Sequence, residues 1–188
     1  VWGLKSTDIM QGIVYGTRTN EIDENEKLLT RFDFDGVFGT VINRYCAQAV
    51  LGNTLTPYGR GGQKRGFIAL RDSIRCLTLA IDNPPKDGEY RVFNQFSKIY
   101  SISELAKKVS KVANNWDLNT KIMNIENPRI ETEDHYYNPQ HEKLKGLGFK
   151  PSRDIGEEIE ILIEDLIKYK DRLIAKKHVL MPKIRWKS

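Results

Sequence analysis

Short apolar runs of strand character alternate along this chain with stretches whose apolar residues recur every three to four positions, and this alternation constrains the fold more than any other feature. Residues 9–15 read as a strand closed by Gly16. Val37, Val41, Tyr45 and Ala49, with Phe38, Ile42, Cys46 and Val50 beside them, predict an amphipathic helix stopped by Gly52 and Asn53. Residues 55–58 and 67–70 read as strands on either side of the turn Gly59-Arg60-Gly61-Gly62. Asp72 stands where it could cap a helix carrying Ile74, Leu77 and Ile81 on its inner face and ending before Pro84-Pro85. Residues 90–94 read as a further strand, and Ser101-x-x-Glu104 as a capping box opening a helix with Ile102, Leu105, Val109 and Val112 inward. Residues 121–125 predict one more short strand. The last helix, over about residues 154–173, places Ile155, Ile159, Leu162, Ile163 and Leu166 on one face. Only the acid-rich stretch 17–35 lacks periodicity and reads as a loop. Alternating strands and helices indicate an α/β or α+β architecture.

The formal charge of +5 invites a polyanionic partner until the charges are located. Residues 168–188 hold eight of the 30 Lys and Arg but only Asp171 of the 25 acids, leaving 22 cations against 24 acids in the rest. A nearly neutral body with a basic tail argues against a nucleic-acid-binding surface spread over the fold. No apolar run is long enough to cross a membrane, so neither nucleic acid nor membrane is an expected partner. Cys46 and Cys76 lie in helical patterns without metal-ligand spacing, which predicts buried, reduced thiols and a cytoplasmic protein. The chain starts at Val1, within a strand pattern, so it is expected to be the later part of a longer polypeptide.

The usual catalytic signatures are missing from the sequence. None of the eight tyrosines has a lysine four residues later, His135, His141 and His178 form no zinc motif, and no GxSxG occurs, so no catalytic residue and no metal site is assigned. The cluster Gly59-x-Gly61-Gly62-x-x-x-Gly66 fits neither dinucleotide nor P-loop spacing, and a strand rather than a helix follows it; a hairpin loop is the plainer reading. Three arginines remain. Arg44, Arg65 and Arg129 each read singly as surface ion-pair partners, but together they could fork a diphosphate, and spacing alone does not bring them together.

Residues 11–16 (QGIVYG), the helix ending Ala49-Val-Leu-Gly52, and Leu55-Thr56-Pro-Tyr58-Gly59-Arg-Gly-Gly-Gln63-Lys-Arg65-Gly-Phe-Ile followed by Asp72 resemble the C-terminal half of extended short-chain dehydrogenase/reductases acting on nucleotide sugars. Val92-Phe-Asn94 and Leu147-Gly-Phe-Lys-Pro151 extend the match. Phe38-Gly-Thr40, Asn43-Arg44-Tyr-Cys, Gln95-Phe96, Asn127-Pro-Arg129-Ile-Glu, His135-Tyr-Tyr-Asn138 and Met181-Pro182 resemble a sulfite-using branch of that family. The resemblance implies the end of a Rossmann-type NAD-binding domain (residues 1–35, last strand and substrate loop) and a smaller α/β substrate-binding lobe (residues 36–188, with segments returning to the Rossmann domain). It further implies an enzyme that uses NAD to oxidise C4 of UDP-glucose, eliminates water, adds sulfite at C6 and re-reduces C4, and a homo-oligomer. Carried over by position, Gln11 would face the sugar and Val14 the nicotinamide. Thr40 and Arg44 would lie along the substrate-facing helix, Thr56 and Tyr58 by uracil, Gln63 and Arg65 by ribose and diphosphate, and Arg129 as the second diphosphate arm. Gly66 stands where many relatives carry Asp, which suggests a looser loop around Arg65. The glycine fingerprint and the Tyr-x-x-x-Lys pair of such enzymes belong to an N-terminal half that this chain does not contain, so alone it is expected to catalyse nothing. An epimerase or dehydratase on another nucleotide sugar, and a non-catalytic nucleotide-sugar-binding module, share most of these features.

Overall fold

The computed structural model describes residues 3–129 and 136–182, and in it the strand expected over residues 9–15 is two strands, β1 (Ser6–Gln11) and β2 (Ile13–Tyr15), parted by Gly12. β1 runs parallel to β4 (Tyr90–Gln95), with Gln11 opposite Gln95. β2 runs parallel to β3 (Lys64–Ala69), whose other edge takes β5 (Lys98–Ser101) antiparallel. Gly12 passes the chain between the two sheets. Its N–H donates to the Gln95 carbonyl at 2.8 Å, and a Cβ there would stand 2.8 Å from the Gly66 oxygen, so no side chain fits.

Parallel pairing requires long crossovers, and helices supply them. The helices of the described residues are α1 (Asn20–Glu24), α2 (Val41–Val50) and α3 (Leu70–Asp82), which lie within the crossovers, and α4 (Ile102–Asn114), α5 (Glu142–Gly146), α6 (Ile155–Lys168) and α7 (Lys170–Ala175), which follow the last strand. α2, α4 and α6 pack on one another, and Tyr45, Cys46, Leu105, Val109, Ile159 and Leu162 form the main core with Phe67 from β3. Two helices start where the sequence places them. Ser101 Oγ accepts the Glu104 N–H while Glu104 accepts the Ser101 N–H, and Asp154 and Glu157 repeat the arrangement at the head of α6.

Several expectations are corrected. The helix predicted from Val37 begins at Val41, because Asp35 Oδ1 takes the N–H groups of Val37 and Phe38 (2.7 and 2.8 Å) and winds residues 35–39 into a turn. A Cβ on Gly39 would sit 2.5 Å from the Asp35 carbonyl oxygen, so this turn needs glycine. The stretch 17–35 is not plain loop: it holds α1 and a 3-10 turn (Glu26–Leu28), tied down by Arg18 to Asp165, Arg71 to Asp23 and Lys168 to Glu26. Asp72 does not cap α3, which begins two residues earlier; its buried carboxylate accepts the Ser152 N–H instead. α3 also faces the other way. Its buried positions are Asp72, Ser73 and Cys76, whereas Ile74, Leu77 and Ile81 are exposed. The glycine turn is no hairpin, because Leu55 and Tyr58 bridge in parallel to Ile122 and Ile125 while β3 pairs with β2 and β5. Nor is Gly66 a loosening residue: it lies within β3, and a Cβ there would meet the Phe96 Cγ at 2.8 Å. The last helix breaks at Tyr169 into α6 and α7. β5 and α5 were not foreseen. His135, Ile130 and the basic residues Lys183, Arg185 and Lys187 lie outside the described residues.

Candidate functional site

One cleft, of about 260 Å³, opens between the 35–40 turn, the first turns of α2, the glycine turn and the segment ending at Arg129. It gathers six of the nine expected site residues: Thr40, Arg44, Tyr58, Gln63, Arg65 and Arg129. The three arginines that spacing left apart therefore line one cleft.

Arg44 sets the chemistry of this cleft. It stands one turn into α2 and is 4 % exposed. Its Nη2 donates to the Thr56 carbonyl at 3.0 Å, and its guanidinium lies 4.0 Å from the centroid of the Tyr58 ring. Nη1 is buried and meets no partner among the described residues, and no carboxylate among them pairs with it. Burial lowers the Arg44 pKa, the Tyr58 and Tyr45 rings work against that, and Arg129 lowers it further. A buried cation facing a second cation is costly unless an anion joins them. Thr40, the N-cap of α2, also has a buried Oγ1 without a partner among the described residues, so the start of the helix opens into the cleft with unspent polar groups.

Thr56 does not line the cleft. It acts from behind: Gln48 on α2 gives its Nε2 to Thr56 Oγ1 (2.8 Å) and takes the Thr56 N–H on Oε1 (3.1 Å), so the backbone that holds Arg44 is locked to the same helix. Gln63 is 2 % exposed and donates to the Tyr58 carbonyl at 3.3 Å, joining the two ends of the glycine turn. Arg129 follows an Asx turn in which Asn127 Oδ1 accepts the Arg129 N–H at 3.0 Å. Gln11 and Val14 stand elsewhere. Gln11 Nε2 donates to Ser73 Oγ on α3 at 3.0 Å, and Val14 packs against Ile68, Cys76, Leu144 and Phe149. Among the described residues no group of three His, Cys, Asp or Glu could hold a metal ion, and Cys46 and Cys76 are buried and unpaired. No helix of these residues is long and apolar enough to cross a membrane.

Sequence reasoning missed two parts of the site. One is the 35–39 turn, for which Asp35-Gly36-x-x-Gly39 was the available signal. Burial pushes the Asp35 carboxylate up, but the N–H groups of Phe38, Val37 and Gly39 outweigh it and hold the pKa below the usual range. The other is Gln48, whose role depends on a residue eight positions away.

No family model matches the chain. It is 57% identical over all of its 188 residues to a UDP-sulfoquinovose synthase from Sulfolobus acidocaldarius, covering 48% of that protein. It is 46% identical over 187 residues to the chloroplastic UDP-sulfoquinovose synthase of spinach, covering 38% of that one. This chain resembles the C-terminal part of UDP-sulfoquinovose synthase. It spans less than half the length of these relatives. Among solved structures, the UDP-glucose 4-epimerase of Thermotoga maritima with UDP-glucose matches 90% of the chain and 48% of its own length (TM-score 0.65, 17% identity). The Bordetella bronchiseptica enzyme WbmF, in complex with NAD+ and UDP, matches 94% and 49% (TM-score 0.64, 22% identity). At these identities the likeness is one of fold: the chain has the α/β fold of the corresponding half of Rossmann-type nucleotide-sugar epimerases.

Proposed function

We propose that this chain is the nucleotide-sugar-binding part of a UDP-sulfoquinovose synthase, and that the cleft holds the diphosphate of UDP-glucose between Arg44, Arg65 and Arg129. The observation that carries the reading is Arg44: nine-tenths buried, without a carboxylate partner among the described residues, and facing Arg129 across a cleft open to solvent. Two negative charges there would relieve the repulsion, and guanidinium forks suit phosphate oxygens. Tyr58, which stacks on Arg44, and Gln63 would border the nucleoside, while Thr56 would serve by holding the backbone. Binding energy drawn from the nucleotide, remote from the reacting carbons, would orient the sugar.

The NAD of the proposed reaction does not fit this chain's own residues. Val14, the position that the resemblance gives to the nicotinamide, is packed into an apolar cluster, and the sequence has no dinucleotide fingerprint. The cofactor and the catalytic tyrosine would belong to the remainder of a longer protein, residues 1–35 would adjoin it, and this chain alone would be inactive. An apolar surface fits such a neighbour: Ile74, Leu77 and Ile81 on α3 and Met10 on β1 are 40, 39, 76 and 54 % exposed, and among the described residues β1 has a strand partner on one edge only. Two buried free thiols accord with a reducing, cytoplasmic setting.

The test is to incubate the full-length protein with UDP-glucose, NAD and sulfite and to analyse the sugar nucleotides by mass spectrometry. Formation of UDP-sulfoquinovose supports the proposal; UDP-galactose formed with or without sulfite would make the protein an epimerase, and UDP-glucose bound but unchanged would make it a binding module.

A further inference from the structure

Tyr137 stands where two arms of the cleft meet. Its Oη accepts the Gly66 N–H at 3.2 Å, one residue after Arg65 on β3, and its ring centroid lies 6.0 Å from the Arg65 guanidinium carbon. The segment that carries it is fixed on both sheets. Asn94 on β4 donates its Nδ2 to the Gln140 carbonyl at 2.7 Å, and the His141 ring meets Phe96 edge-on with centroids 4.3 Å apart. Phe96 in turn occupies the space that the missing side chain of Gly66 leaves. Gly66, Phe96, Tyr137 and His141 thus form one joint between β3 and the chain that returns after Arg129. Tyr137 belongs to the His135-Tyr-Tyr-Asn138 string but is not among the cleft-lining residues, and its contacts with Gly66 and Arg65 point to its role.

From these contacts we infer that Tyr137 is a positioning residue, aiming Arg65 into the anion cleft before a ligand arrives. The inference rests on the nucleotide-diphosphate reading of that cleft. Arg65, whose Nη1 donates to the Lys64 carbonyl at 2.8 Å, has several rotatable bonds and shares the cleft with two other cations, so its placement there works against repulsion and entropy. The face of a phenol ring attracts a guanidinium, and the Oη bond to the Gly66 N–H fixes that ring to the strand from which Arg65 springs. A cation held ready costs a ligand less ordering than one that must be recruited.

The test uses the full-length protein and three variants, Tyr137→Leu, Tyr137→Phe and Tyr136→Leu. Tyr136 is the control, because it is 90 % exposed and its Oη accepts from Asn138 two residues on. UDP binding is followed by titration calorimetry and uridine binding by ligand-observed NMR. Tyr137→Leu should weaken UDP binding by about tenfold and Tyr137→Phe, which keeps the ring, by about threefold, with uridine affinity unchanged in both. With UDP-glucose as substrate, KM should rise by the same factors and kcat should hold. Unchanged UDP affinity in both Tyr137 variants overturns the inference. So does an equal weakening of UDP and uridine, which marks a merely structural residue. A folded wild-type protein that binds no UDP removes the diphosphate reading itself, and the inference falls with it.

Discussion

Two arginines of this chain are largely shielded from solvent, Arg44 buried and Arg18 less deeply so, and they are provided for in opposite ways. Arg18 lies against α6, where its Nε donates to Asp165 Oδ2 at 2.8 Å; Asp165 is 6 % exposed, and Glu26 reaches the same guanidinium. The hydrogen bonds and charge of Asp165 hold the Arg18 pKa up, whereas burial pulls that of Arg44 down. Arg18 is thus neutralised from within the chain and serves to pin the 17–35 stretch. Arg44 is buried more deeply, and the charged group that faces it among the described residues is another arginine. On the proposed reading, the difference separates a cation that builds the fold from one that would meet an anion of another molecule.

Substitution should break this comparison in opposite directions. Arg18→Met leaves the buried Asp165 charge with the Thr17 hydroxyl but without its cation and should destabilise the full-length protein by about 3 kcal/mol, read by chemical denaturation, with UDP affinity unchanged. Arg44→Met removes a buried charge that has no acid partner among the described residues, so the melting temperature should hold or rise while UDP affinity falls by about 1.5–3 kcal/mol. Arg65→Ala or Arg129→Ala should raise the KM for UDP-glucose by an amount in the same range of about 1.5–3 kcal/mol, and unchanged kinetics in both would refute the diphosphate assignment. Gly66→Ala should cost about 1–3 kcal/mol of stability, because the new methyl must displace the near end of the Phe96 side chain rather than a flexible tip.

The smallest effect concerns Glu158, 3 % exposed and 3.3 Å from Arg153. Burial raises its pKa, and the ion pair with Arg153 does not fully offset that. A raised carboxylate pKa means that the fold prefers the protonated form, so a penalty appears as pH rises through the folded-state value. Glu158→Gln should therefore match the wild type in acid and melt slightly higher towards neutral pH, measured by thermal denaturation across a pH series.

The sequence made legible what depends on near neighbours. Ser101 with Glu104 announced α4, and the apolar positions from Ile155 to Leu166 announced α6, because capping and a buried stripe are written within a few turns. The inner face of α3 was misread because Ser73 and Asp72 are buried by bonds to Gln11, Gln95 and Ser152, partners 22 to 80 residues away, so the apolar stripe was free to turn outward. The head of α2 was misread because Asp35 competes for the very N–H groups that would have opened the helix. At the site, the residue types were legible from the resemblance, but the convergence of Arg44, Arg65 and Arg129 depends on the parallel crossovers that bring α2, β3 and the 127–129 segment to one cleft. The same long-range geometry turned Gln11 and Val14 away from it.

The most direct test of the central claim is titration calorimetry of UDP into the full-length protein and its Arg44→Met variant, with the melting temperature of each recorded alongside. A loss of UDP affinity of about tenfold or more with an unlowered melting temperature is the expected result. Equal affinity in the two proteins, or a variant that loses stability as Arg18→Met does, would mean that Arg44 is a structural cation and that the cleft is not a diphosphate site.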